Sequence, residues 1–95
     1  MKFEWDSDKE SINIRKHGLS FSLAARVFYD PNHIELFDDV HSVEEDRFHA
    51  IGLVDNVLTV VFTERGENIR IISARCATEK EKRMYYEQSR IWARS

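Results

Sequence analysis

RFHAIGLVDNVLTVVFTERGENIRIISARC, residues Arg47–Cys76, holds three strand-like runs in close succession. Arg47–Val54, Val57–Glu64 and Ile69–Cys76 are rich in β-branched and aromatic residues, and short polar pieces separate them. Asp55-Asn56 is a tight hairpin signal. In Arg65-Gly66-Glu67-Asn68, Gly66 is available for positive φ. Both links are too short for anything but antiparallel pairing. A two-residue turn at Asp55-Asn56 would set Val54 against Val57, His49 against Phe62 and Arg47 against Glu64. It would put the last two pairs on one face with Ile51, Leu53, Leu58 and Val60. The second hairpin stays open: a two- or four-residue loop sets Glu64 opposite Ile69, whereas a three-residue loop with a bulge shifts every pair.

Upstream, Lys2–Trp5 alternates and reads as a short strand. Ser7 and Glu10 have capping-box spacing, so a helix is expected from about Asp8 to His17, ended by Gly18. Ser20 can cap a second helix, Phe21–Phe28, which Asp30-Pro31 stops. Ile34–Phe37 reads as a strand and Asp38–Glu45 as an acidic loop. Downstream, Thr78 and Glu81 form another capping box, opening a helix to about Arg94. Met84, Tyr85, Gln88, Ile91 and Trp92 form its mostly apolar stripe. The order β-α-α-β-β-β-β-α implies a single α+β domain over residues 1–95, with helices against an antiparallel sheet.

Composition narrows the function classes. With 95 residues, 42% hydrophobic and 33% charged, the chain is globular. One cysteine, Cys76, allows no internal disulfide and reads as a small buried residue. No apolar run is long enough to span a bilayer, and the N-terminus lacks a signal-peptide pattern, so a cytoplasmic location without membrane association is expected. The net charge of −3 argues against an unassisted nucleic-acid binder. The charge is unevenly placed, however. Residues 70–95 hold Arg70, Arg75, Lys80, Lys82, Arg83, Arg90 and Arg94 against Glu79, Glu81 and Glu87, a net of +4 that leaves −7 on residues 1–69. A basic end on an acidic body could meet a phosphate backbone on one side and a basic partner on the other.

The residues also carry a resemblance. Phe3-Glu4-Trp5-Asp6, Lys9, Asn13, Lys16-His17-Gly18, Phe21, Ala24-Ala25, Val27-Phe28 and Asp30-Pro31 resemble the N-terminal half of BrnT-type toxins. Glu45-Asp46-Arg47-Phe48 with Ile51-Gly52, Thr63-Glu64-Arg65, Ile69-Arg70-Ile71-Ile72-Ser73-Ala74-Arg75, Ala77-Thr78, Glu81 and Tyr85 resemble the remainder. The resemblance implies a fold related to RelE-type ribonucleases and inhibition of translation through RNA cleavage. It also implies neutralisation by a BrnA-like ribbon-helix-helix antitoxin, with DNA contacted only through that partner. The rival reading is a non-catalytic module that serves only as the antitoxin's partner and co-repressor.

Cleavage of this kind needs no metal or other cofactor: a base takes the ribose 2′-hydroxyl proton, cations hold the phosphate, and an acid protonates the leaving oxygen. Arg65, read in a turn, and Arg75, at the end of the last strand, are the phosphate candidates. Glu64, Tyr85 and His17 are the proton-transfer candidates, and Lys80 and Arg83 the RNA contacts. His33, His41 and His49 are scattered, with no metal-ligand spacing. Trp5 and Trp92 read as core.

Overall fold

In this computed structural model the chain is described for residues 1–94, with side chains described through residue 88. Strand β1 (Lys2–Trp5) leads to helix α1 (Ser7–His17), a short helix α2 (Phe21–Ala25) and a 3₁₀ turn (Arg26–Tyr29). Strands β2 (Ile34–Asp38), β3 (Arg47–Val54), β4 (Asn56–Arg65) and β5 (Asn68–Cys76) follow, then helix α3 (Glu79–Arg94). The sheet order is β1-β5-β4-β3-β2. All pairs are antiparallel except β1–β5, which is parallel, so the expected α+β sheet is mixed at one edge.

The local signals acted as physical chemistry requires, with two exceptions. Gly18, at φ 69°, ends α1 and donates its N–H to Ile14 O. Ser20 Oγ accepts from Leu23 N at 3.1 Å, capping α2. The first capping box is not formed. Asp6, one residue earlier, caps α1 by accepting from the N–H groups of Asp8 and Lys9, since a carboxylate answers the helix dipole better than a hydroxyl. Glu10, released from that task, accepts from Phe21 N at 2.9 Å and ties α1 to the start of α2. The expected helix Phe21–Phe28 tightens after Ala25 into the 3₁₀ turn.

The first hairpin corrects the expected register. Asp55 alone occupies the bend, at φ 60°, so Val54 faces Asn56, Ala50 faces Val60 and Phe48 faces Phe62. A one-residue slip exchanges the faces. Phe48, Ala50 and Val54 therefore share a face with Leu58, Val60 and Phe62, while His49, Ile51 and Leu53 lie with Val57, Thr59 and Val61 on the other. The expected Arg47–Glu64 pair does not exist: Arg47 stands opposite Asp38, and Glu64 opposite Ile69. The second hairpin has the two-residue loop Gly66-Glu67, and β5 absorbs one extra residue, Ile72, as a bulge between Ser73 and Ile71.

The two faces meet different helices. On one, Phe21, Ala24, Val27 and Phe28 pack on Ala50, Leu58, Val60, Phe62, Ile71 and Ala74. A fully buried large side chain contributes about 1.5–3 kcal/mol, so this layer carries most of the stability. Trp5, in edge contact with Phe21, belongs to it as expected, whereas Trp92 and Ile91 lie outside the described side chains. On the other face α3 covers only part of the sheet, where Tyr85 packs with Ile51, Val57 and Ala77 beside Ile34 and Leu36. Cys76 is exposed rather than buried, because it ends β5 well past Ile71, the last residue that β1 reaches.

Candidate functional site

The rest of that second face is open, and it is polar by alternation: Asp38 on β2, Arg47 and His49 on β3, Val61 on β4, Ser73 and Arg75 on β5. With His41 from the β2–β3 loop and Ile72 from the bulge, they line a shallow hollow of about 260 Å³. A second hollow of about 250 Å³ shares Ile72 and Ser73, and Lys9, Ile12, Asn13, Lys16 and His17 of α1 complete it. The strip therefore runs from α1 across β5 and β4 to β2. It carries Lys9, Lys16, Arg47 and Arg75 with three histidines, and Asp38 is its one acid.

Asn13 sets α1 beside the strip. Where β1 has ended, the edge N–H of Ala74 needs an acceptor, and buried Asn13 Oδ1 supplies it at 3.0 Å while its Nδ2 donates to Leu19 O. Ser42 holds the acidic loop by accepting from Arg47 N at 2.8 Å and donating to Asp38 O. That brings His41 onto Asp38. His41 Nδ1 and His49 Nε2 each lie 2.9 Å from Asp38 Oδ2. Asp38 is only 11% exposed and His49 24%. Burial pulls the Asp38 pKa up, but the hydrogen bonds from His41 and His49 outweigh it and hold the carboxyl below its usual range.

Arg75 forms the opposite wall. Its guanidinium makes a two-point pair with Glu81, at 2.7 and 3.1 Å. Glu81 also completes the Thr78 capping box, accepting from Thr78 N at 2.8 Å while its own N–H donates to Thr78 Oγ1 at 3.2 Å. Burial raises the Glu81 pKa, yet the hydrogen bonds from Arg75 and Thr78 N–H and the charge of Arg75 bring it down to about 2. The same pair raises the Arg75 pKa, against burial. A guanidinium has five N–H donors, so the pair leaves others for a ligand in the hollow.

The structure brings together only part of the expected set. Arg75 lines one hollow and His17 the other. Arg65 lies on β4 itself and not in the turn. It shares the open face with Arg75, but six residues of strand, about 20 Å, separate it from Thr59, the partner of Arg75. It pairs there with Glu45 at 3.6 Å. Glu64 is exposed and points to the opposite face of the sheet by alternation. Tyr85 is 3% exposed, and its hydroxyl donates to Asp30 Oδ2 at 2.6 Å, away from both hollows. Lys80 is exposed in the first turn of α3, and Arg83 borders a separate depression with Tyr86. Asp38 was not singled out in the sequence, and His41 and His49 were read only as scattered histidines. Their meeting depends on the β2–β3 register, which an eight-residue loop without a tight turn does not announce.

A half-covered, mostly antiparallel sheet with a basic, histidine-bearing open face defines a class of small α+β protein. The comparisons give the family. Residues 5–81 match the model of the ribonuclease toxin BrnT of type II toxin–antitoxin systems, and the chain belongs to that family. It is similar to the 1.1 Å crystal structure of the Brucella abortus ribonuclease toxin BrnT, with a TM-score of 0.68 and 31% identity over 83% of this chain and 99% of that one. No curated protein sequence matches. Membership of a type II system implies a protein antitoxin as partner.

Proposed function

We propose that this chain cleaves RNA on the open sheet face without a metal, and that this cleavage inhibits translation. The observation that carries the reading is the meeting of Arg75 and His49 in one hollow on a basic strip. In this reaction the 2′-oxygen attacks the adjacent phosphorus and the P–O5′ bond breaks, leaving a 2′,3′-cyclic phosphate and a 5′-hydroxyl. A planar guanidinium stabilises the charge gathering on the phosphate oxygens. Lys9, Lys16 and His17 would continue the track for the flanking backbone. A BrnA-like ribbon-helix-helix antitoxin is the proposed partner, DNA being contacted through it, and the cytoplasm the proposed place of action.

The Arg75–Glu81 pair favours a second reading, the non-catalytic antitoxin partner, because it also satisfies Arg75 without any substrate. One experiment separates the two. Purified protein is incubated with a labelled single-stranded RNA in EDTA, alongside the same strand with 2′-deoxyribose throughout. Cleavage of the RNA alone, ending in 2′,3′-cyclic phosphate, is expected. An intact RNA supports the module, and cleavage that requires a divalent ion overturns the metal-free route.

A further inference from the structure

Asp38 stands between two histidines, and both bond the same carboxylate oxygen. We propose that His49 and His41 are the proton-transfer pair of this site, with Asp38 as the positioning residue that holds both rings. This inference rests on the reading that the open face cleaves RNA.

An ionised carboxylate only accepts hydrogen bonds, so the ring nitrogens facing it, His49 Nε2 and His41 Nδ1, must carry protons. In the neutral ring of His49 the lone pair is then on Nδ1, free for a substrate. This is the service an aspartate performs for a catalytic histidine elsewhere: it selects the tautomer and steadies the imidazolium that forms. His49 sits on a strand, largely buried, on the same floor as Arg75. A phosphate held by Arg75 would have its ribose within reach of that floor. His41 stands on the rim, 67% exposed, on a loop pinned by Ser42. The two rings meet at one carboxylate oxygen, and both line the hollow that Arg75 walls.

The step balances. Neutral His49 takes the proton from O2′, the O2′–P bond forms, the P–O5′ bond breaks, and protonated His41 gives its proton to O5′. The pair ends with His49 charged and His41 neutral, and exchange with solvent restores it. The charged and titratable groups around the pair are Asp38 on β2, Arg47 on β3 and Arg75 on β5, with Glu81 behind Arg75, and Glu44 and Glu45 beside His41 on the β2–β3 loop.

The test follows kcat/KM against pH for the wild type, His49→Gln, His41→Gln and Asp38→Asn on the labelled RNA. Binding of the all-2′-deoxy strand and the thermal midpoint are measured alongside. A bell-shaped wild-type profile is expected. Each histidine variant is expected to lose about 10²–10⁴-fold in kcat/KM, to lose one limb of the bell, and to keep deoxy-strand binding within a few-fold. Asp38→Asn is expected to displace both limbs, which a merely structural staple would not do. If His49→Gln unfolds, His49→Ala with added imidazole replaces it, and recovery of rate with imidazole is the expected result. A wild type that leaves RNA intact overturns the reading of the face. A wild type that cuts, with folded histidine variants keeping its rate and profile, overturns the proton-transfer pair alone.

Discussion

A Cβ placed on Gly52 would lie 2.9 Å from Val27 Cγ1, 3.0 Å from His33 Cβ and 3.1 Å from Val27 O. The 3₁₀ turn rests directly on β3 there, and backbone cannot yield as a side-chain tip can. Gly52→Ala is expected to cost about 1–3 kcal/mol, as overpacking does, and to lower the thermal midpoint by several degrees. A midpoint equal to wild type would mean the turn is free to move. Tyr85 makes a second case. Burial pulls the Asp30 pKa up, but hydrogen bonds from the Tyr85 hydroxyl, Leu53 N–H and Asn32 N–H outweigh it, leaving it below the usual value. Tyr85→Phe removes one bond to a charged acceptor, so about 1.5–3 kcal/mol should be lost. Cleavage measured below the melting range should stay near wild type. A large loss of rate in folded Tyr85→Phe would restore Tyr85 to the site. The sequence marked Tyr85 as chemically capable, but a buried hydroxyl whose acceptor is 55 residues away in the chain is not visible as such in one dimension.

At the scale of elements, helix α3 is joined to the sheet through Glu81, which caps its first turn and pairs with Arg75. Its folded pKa of about 2 lies below the ordinary 4.5, so the stability it contributes is whole above about pH 4.5 and is lost as pH falls through 2. Glu81→Gln keeps an amide able to cap but loses the ion pair. Its midpoint should lie below wild type at pH 7, and the gap should close between about pH 5 and pH 2. A gap constant over that range would place the stabilisation elsewhere. This capping box was legible from its spacing, as were the caps at Gly18 and Ser20, but the same spacing at Ser7 and Glu10 misled because Asp6 stands one residue earlier. Strands β3, β4 and β5 were legible too, being eight to ten residues long and bounded by turn signals. The first hairpin was misread because Asp55 takes a positive φ alone, and a turn shorter by one residue reverses both faces. Both faces near Ile51 and Val60 are apolar, so alternation gave no warning. The candidate site suffered most from this slip. With the faces exchanged, His49 falls beside Phe62 and loses its place between Asp38 and Arg75.

Over the whole molecule, a net charge of −3 conceals a basic strip. Single-strand binding by Lys9, Lys16, Arg47 and Arg75 should give a plot of log affinity against log salt with a slope of roughly −3, at about 0.7 per neutralised phosphate. The double variant Lys9→Ala/Lys16→Ala should flatten that slope by roughly 1.4, whereas Lys80→Ala/Arg83→Ala, placed on α3, should change it less. Titration of the all-2′-deoxy strand at several salt concentrations measures both. The reverse ranking would move the nucleic-acid track to α3. The proposed cleavage on this open face turns on Arg75, which lines its hollow. The direct measurement is single-turnover cleavage of the labelled RNA by wild type and Arg75→Ala, with circular dichroism showing both folded at the assay temperature. Removing a cation that stabilises the transition state should slow cleavage about 100-fold, a loss of about 3 kcal/mol. An Arg75 that serves only as the partner of Glu81, which is 13% exposed, contributes to the fold and nothing to the chemistry. Folded Arg75→Ala protein cutting at the wild-type rate would contradict the claim.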